Sequence, residues 1–225
     1  MHVPKVLVAT PVHSKTKPYF VERSFELYNA LTYANLDVAR QLNHYHRCPE
    51  LPGSYHPHAA ARNLLINNHL RADHDYVLWV DVDIVWYPEN LVESLLGIVD
   101  RYSRPIIVAP MVMVEKLDPA LPPSEENGGW FYDVGGFIFR GEQTNRWYPH
   151  WPSTDAFLSM DSVGACYLVP AFLYRQGVRY CPEGDSVEHN SFMKLARQHG
   201  VQPIAHTKLE VHHAYLPKYG QWWNG

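Results

Sequence analysis

The chain has 225 residues, is 46% hydrophobic and carries a formal net charge of -4. That length suits one sizeable α/β domain, residues 1–225, with no Gly/Ser linker or internal repeat to divide it. The mild acidity argues against a general polyanion or nucleic-acid binder but leaves room for a local basic pocket. No apolar run approaches the ~20 residues needed to span a bilayer. Cys48, Cys166 and Cys181 are odd in number and widely spaced, with no Cys-x-x-Cys pair and no signal-peptide pattern before them. This reads as a reduced, cytoplasmic chain.

In chain order, residues 3–9 read as the first strand. Thr10, Pro11, Val12, His13 and Ser14 follow as a polar loop at its carboxyl end. Such a loop suits a nucleotide, so Thr10 and Pro11 are candidate donor-binding residues. An ordinary surface turn is the plain alternative, because no Gly-rich phosphate fingerprint is present. Residues 19–31 have apolar positions near helical spacing, and 37–42 read equally as a strand or a helix end. His56, Pro57 and His58 introduce a helix over 59–70, with Arg62 and Asn63 in its first turns. Amide donors and a cationic side chain at a helix start can hold phosphate or sugar hydroxyls; a solvated helix face is the bland reading.

Residues 76–80, Tyr-Val-Leu-Trp-Val, read as a strand buried on both faces. Asp81 and Asp83 leave its carboxyl end, where ligands bind in open α/β sheets, so a cation is expected there. The bland alternative is that they cap the helix begun near Pro88. Another Asp-x-Asp, Asp73 and Asp75, lies in a polar turn and reads as solvated. A helix over 88–101 and a buried strand over 105–109 follow. Residues 115–155 form a loop-rich insert interrupted by Pro and Gly, with a strand expected at 136–140. Its Trp130, Trp147 and Trp151 would make either an acceptor-stacking wall or a lid packed on the core.

A strand is expected over 163–169, where Gly164 would let a substrate approach the backbone. A short helix over 170–176 and a longer one over 186–199 follow, each closed by glycine. Glu188 and His189 sit in the first turn of the second, where an acidic group favours the helix dipole. Residues 209–213 read as a last strand or strand end. An aromatic tail over 214–225, with Tyr215, Tyr219, Trp222 and Trp223, closes the chain.

Taken together, Ala61-Arg62-Asn63-Leu64-Leu65, the run from Asp75 to Val85, Met160-Asp161-Ser162-Val163-Gly164-Ala165-Cys166, Arg175-Gln176-Gly177-Val178, Glu188 at a helix start and Glu210-Val211-His212-His213 resemble the ordered motifs of the fungal mannan-polymerase mannosyltransferase family. The resemblance covers residues 58–213, and the ordered series is more specific than any one member of it. It implies a single GT-A-type, Rossmann-like domain with a mostly parallel mixed sheet flanked by helices. It also implies a nucleotide-sugar donor, usually GDP-mannose, and manganese, with magnesium as the substitute. Asp81 and Asp83 would form the metal and donor motif, and His213 would match the family's metal-binding histidine. The insert matches only around Tyr132-Asp133, and no counterpart of the fungal N-terminal membrane anchor is expected.

The residues themselves agree with this chemistry. Displacing a nucleoside diphosphate needs the charge developing on its pyrophosphate to be neutralised, and two carboxylates plus an imidazole suit manganese. Asp83, farther from the strand, is the expected direct ligand. Asp81 would bind through water or hold the ribose. Glu188 would orient the acceptor hydroxyl or act as general base, and Asp161 would orient an acceptor or donor hydroxyl. Retention of anomeric configuration is expected, by attack on the face the diphosphate leaves. The acceptor stays open among glycan, lipid, protein, small metabolite and modified nucleobase. Two other classes compete: a haloacid-dehalogenase-like phosphohydrolase using Asp81 and Asp83, with Gly184-Asp185 imitating a further motif, and a non-catalytic sugar-binding protein.

Overall fold

The longest apolar runs of the sequence become interior strands of one sheet. The computed structural model describes residues 2–13, 16–43, 57–153, 156–181 and 188–219. Ser14, Cys48, His56, Gly184, Asp185, Trp222 and Trp223, named above, lie outside the described residues, as do the last two positions of the 115–155 insert and the first two of the 186–199 helix. The elements in order are β1 (Val6–His13), α1 (Pro18–Asn29), β2 (Leu36–Asn43), α2 (Pro57–His69), β3 (Tyr76–Val80), β4 (Ile84–Trp86), α3 (Leu91–Val99) and β5 (Ile106–Val114). They continue with β6 (Ile138–Phe139), β7 (Glu142–Gln143), a 3-10 turn (Thr144–Trp147), β8 (Phe157–Ser159), β9 (Cys166–Pro170), α4 (Phe172–Arg175), α5 (Glu188–Gln198), β10 (Gln202–His213) and α6 (Leu216–Tyr219).

The strand order is β2-β1-β3-β9-β5-β10-β4, with β8 pairing β10. The ladders β1/β2, β1/β3 and β5/β10 are parallel, while β9 runs antiparallel to both β3 and β5. Hence β1, β2, β3, β5 and β10 share one direction, and their carboxyl ends open on one side. Helices cover the sheet as α2 on β1 and β2, α1 on β4, α3 on β5 and α5 on β10. The buried core is continuous from β1 through β3, β5 and β9 to α5.

Four local expectations change. Residues 10–13 are strand rather than loop, because β2 pairs with β1 as far as His13 opposite Asn43. The ambiguous 37–42 segment is therefore a strand, fixed by its partner rather than by its own pattern. The strand expected at 136–140 shrinks to Ile138–Phe139, since Gly141 takes a positive φ of 79° and turns the chain at once. At the end of the chain, β10 spans twelve residues, with a register shift between His206 and Glu210, so its first half pairs β8 and its last residues pair β4.

Trp79 anchors the middle of this arrangement, buried with Nε1 donating to Tyr174 Oη at 2.7 Å. Replacing it with Ala should cost about 3–5 kcal/mol in urea unfolding. A loss below about 1 kcal/mol would show that the centre of the sheet repacks around the gap.

Candidate functional site

Beyond Val80 the chain turns sharply and is pinned on both sides. Asp81 N–H donates to Ala165 O at 2.9 Å, Ile84 N–H to Asp81 O at 3.0 Å, and Ala214 N–H to Asp83 O at 2.9 Å. Asp81 and Asp83 therefore sit on rigid backbone at the carboxyl end of β3. Neither caps α3, whose N-cap position is held by Asn90. Ala165 holds φ of 52°, a left-handed conformation uncommon for a residue with a Cβ, directly beside this turn.

Arg62, buried on α2, reaches the turn from below. Its Nη2 donates to Asp81 Oδ1 at 2.7 Å and its Nε to Glu188 Oε1 at 3.3 Å. Its guanidinium lies 5.0 Å from the Trp79 ring, 5.8 Å from Tyr180 and 5.9 Å from Tyr167. That aromatic box fixes the fork and excludes water, so the charge pairs work in a low dielectric. Its Nη1 is buried and without a hydrogen-bond partner. Burial pushes the Asp81 carboxyl up, Arg62 opposes this, and Asp83 and Glu188 add to it, leaving it at about 6. Burial also disfavours the Glu188 carboxylate, yet His189, Arg62 and His58 together hold it well below the ordinary range.

On the other side of the turn, His213 Nε2 stands 3.0 Å from Asp83 Oδ2 without the alignment of a hydrogen bond. Its Nδ1 faces Ala214 O at 2.9 Å, and Tyr132 stacks on the imidazole at 3.5 Å between centroids, 14° from parallel. Burial works against charge on both partners, but their mutual attraction prevails: Asp83 is lowered and His213 raised. His212 turns to the opposite face, where it meets the Trp86 ring at 4.6 Å. Of the two neighbours, His213 is the one beside Asp83.

The sequence reading missed Asp133 as a site residue. It arrives because the insert begins by pairing with β5, through Tyr132 N–H to Val112 O at 2.9 Å. Asp133 Oδ1 accepts from Gly136 N–H at 2.8 Å, while Oδ2 is buried without a partner. Burial, countered by the Gly136 N–H and reinforced by Asp81, pushes its carboxyl up to about 7. The weak Tyr132-Asp133 match and the glycines at 136 and 164 were the available signals. Gly164 does not open a path to the backbone: a Cβ there would meet Asp133 Oδ2 at 2.4 Å.

The remaining candidates are structurally engaged. Thr10 is buried and donates to Val80 O at 2.7 Å, and its hydroxyl also contacts Tyr28 Oη. Pro11 is half-buried within β1. Asn63 makes a reciprocal pair with the Tyr180 backbone, at 2.8 and 3.0 Å, which ties α2 to the segment before α5. Asp161 accepts from Gly141 N–H through its carboxylate and from Arg197 through its carbonyl, bracing the β6–β7 hairpin. In the insert, Trp147 is buried against Phe131 and Phe139, so this part of the aromatic wall is core. Among the described residues, no three His, Cys, Asp or Glu side chains form a ready-made metal cluster, and no helix is long and apolar enough to cross a membrane.

Comparison with known proteins adds two findings. The Anp1 family model matches residues 57–133, less than half of the chain but a stretch that holds Arg62, Asp81, Asp83 and Asp133. Among solved structures, S. aureus TarS superposes with a TM-score of 0.55 at 11% identity, covering 93% of this chain and 36% of TarS. The fold is of the GT-A type. TarS 1-349 matches as its UDP complex, with a TM-score of 0.54 at 9% identity, and as its UDP-GlcNAc complex, with 0.51 at 10%. These cover 93% of this chain each, and 60% and 58% of that fragment, so the chain spans less than two thirds of either form. No curated protein matches in sequence.

The Arg62 network carries a pH signature. The folded-state pKa of Glu188 is depressed, so its contribution to stability is present above the unfolded value near ~4.3 and is lost as pH falls through the folded value. Glu188→Gln should therefore lower stability by about 3 kcal/mol at pH 7. Thermal unfolding of variant and wild type should converge as the pH falls below about 4. A gap independent of pH would show that ionisation of Glu188 contributes nothing to the network.

Proposed function

We propose that this chain is a glycosyltransferase that moves a hexose from a nucleoside-diphosphate sugar to an acceptor hydroxyl. The observation that carries the reading is the pair of opposed contacts at the end of β3, Arg62 with Asp81 and Asp83 with His213, on a GT-A sheet. The Anp1 match, to a mannosyltransferase-related family, favours mannose and hence GDP-mannose, while TarS binds UDP-GlcNAc on a similar fold.

A divalent cation fits the Asp83–His213 pair. The imidazole Nε2 is buried and stands 3.0 Å from a carboxylate oxygen without an aligned hydrogen bond, and a mixed N and O donor set suits manganese, with magnesium as the weaker match. Two protein donors leave the other positions to diphosphate oxygens and water, as is usual for cations that bind with phosphate substrates. When bound, the ion would supply Lewis-acid neutralisation of the departing diphosphate. The unpartnered Arg62 Nη1 is a further donor for phosphate oxygens, and Tyr132 holds the His213 ring in register.

Retention by same-face attack fits the commitments of Asp81, Asp83 and Glu188. Asp81 and Glu188 are engaged by Arg62, and Asp83 by His213. The acceptor hydroxyl would attack the anomeric carbon on the face that the diphosphate leaves, passing its proton to the departing phosphate oxygen, with Arg62 steadying the charge left behind. Calorimetric titration with GDP-mannose and with GDP, with and without manganese, tests the site. Asp83→Ala and His213→Ala should each lose manganese-dependent binding by more than the ~10–100-fold typical of an outer-shell partner, while His212→Ala keeps it. Retained binding in Asp83→Ala would overturn the site. Nuclear magnetic resonance of the first-formed product should show an α-linkage from an α-configured donor, and a β-linkage would overturn retention.

A further inference from the structure

The site contains one carboxylate that no cation holds. Asp81 and Glu188 pair with Arg62, and Asp83 with His213, whereas Asp133 Oδ2 is buried with no partner. A buried polar atom left unpaired is costly, and folded proteins keep few of them away from functional sites.

The chain also makes room for this group deliberately. A Cβ at Gly136 would lie 2.5 Å from Asp133 Oδ1, and one at Gly164 would lie 2.4 Å from Asp133 Oδ2 and 3.2 Å from His189 Cδ2. Neither glycine has the positive φ that would demand glycine for backbone reasons. Two separate segments, one in the insert and one before β9, thus give up their side chains to seat the same carboxyl. The charged groups that act on it are Asp81 beyond β3, Glu188 on α5 and His213 on β10. It therefore stands among the residues of the site, and Asp133 as a whole is only half-buried, at the wall of that site.

We propose that Asp133 is a positioning residue that receives a hydroxyl of the transferred sugar, with Gly136 and Gly164 serving to seat its carboxyl. This rests on the glycosyltransferase reading. Gly136 N–H holds Oδ1, which leaves Oδ2 as the oxygen available to a ligand hydroxyl. Burial pushes the Asp133 carboxyl up, to about 7. Hydroxyl binding tolerates both protonation states, as the carboxylate accepts and the acid donates.

The test compares GDP-mannose with GDP, and UDP-GlcNAc with UDP, by calorimetry in manganese on the full chain. Asp133→Ala should weaken whichever nucleotide sugar binds by about 10- to 100-fold and leave its nucleoside diphosphate unchanged. Asp133→Asn should restore most of that affinity, because an amide still accepts and donates. Gly164→Ala, which crowds Oδ2, should reproduce the selective loss. Equal weakening of sugar nucleotide and diphosphate in Asp133→Ala, or no weakening of either, would overturn the assignment, as would a glycosyl adduct on Asp133 detected by mass spectrometry. If wild type binds a sugar nucleotide more tightly than its diphosphate and Asp133→Ala keeps that difference, the Asp133 role fails alone. If wild type binds neither, the glycosyltransferase reading fails and takes this role with it.

Discussion

The buried guanidinium of Arg62 is the constraint on which the site depends. It comes from α2, and its partners come from the end of β3 and the start of α5, so one planar fork joins three elements that are far apart in sequence. Lysine would not replace it. A point charge cannot present separate nitrogens to Asp81 and Glu188 while lying within an aromatic box. The tyrosines that build the box are themselves linked, with Tyr167 Oη 2.8 Å from Tyr180 Oη and 3.2 Å from His189 Nδ1. Orientation of the fork is thereby transmitted to the sheet through Trp79 and Tyr174.

Burying so much charge is expensive, and the fold offsets the cost by pairing. The same pairing sets the character of each carboxylate. Asp83 and Glu188 are held toward the ionised form by the basic groups beside them, whereas burial lifts Asp81 despite its contact with Arg62 and lifts Asp133 despite Gly136 N–H and His213. Four acids in one site thus have different chemistry without differing in residue type, as environment rather than identity decides.

The sequence showed the sheet well where burial is symmetrical. Residues 76–80 and 105–109 read as strands because both faces are covered and the apolar run is unbroken. It showed the ends of strands poorly: β1 runs on through Thr10-Pro11-Val12 and β10 begins at Gln202, both held by partner strands that local pattern does not contain. The site was legible through Asp81, Asp83, Arg62, Glu188 and His213, which the structure brings together. Asp133 was obscured because its approach depends on the insert pairing with β5, a long-range contact inside a Pro- and Gly-rich stretch. Thr10, Asn63 and Asp161 were singled out by position along an element, yet hydrogen bonds across the fold engage each of them in holding backbone.

For Glu188 the geometry bears on the choice between a general base and an anchoring group. A general base works best when its pKa lies near the working pH. Burial works against the Glu188 carboxylate, but His189, Arg62 and His58 outweigh it and hold it on the acidic side, which favours an anchor for the guanidinium over a base. In the proposed same-face transfer no side-chain base is required, because the proton goes to the departing phosphate oxygen. An acid fixed in its ionised form then acts at a distance, by keeping Arg62 charged, oriented and dry where the diphosphate would lie. In that proposal the division of labour follows from which carboxylates have cations: the paired acids would hold the electrostatic frame, and the unpaired one would meet the sugar.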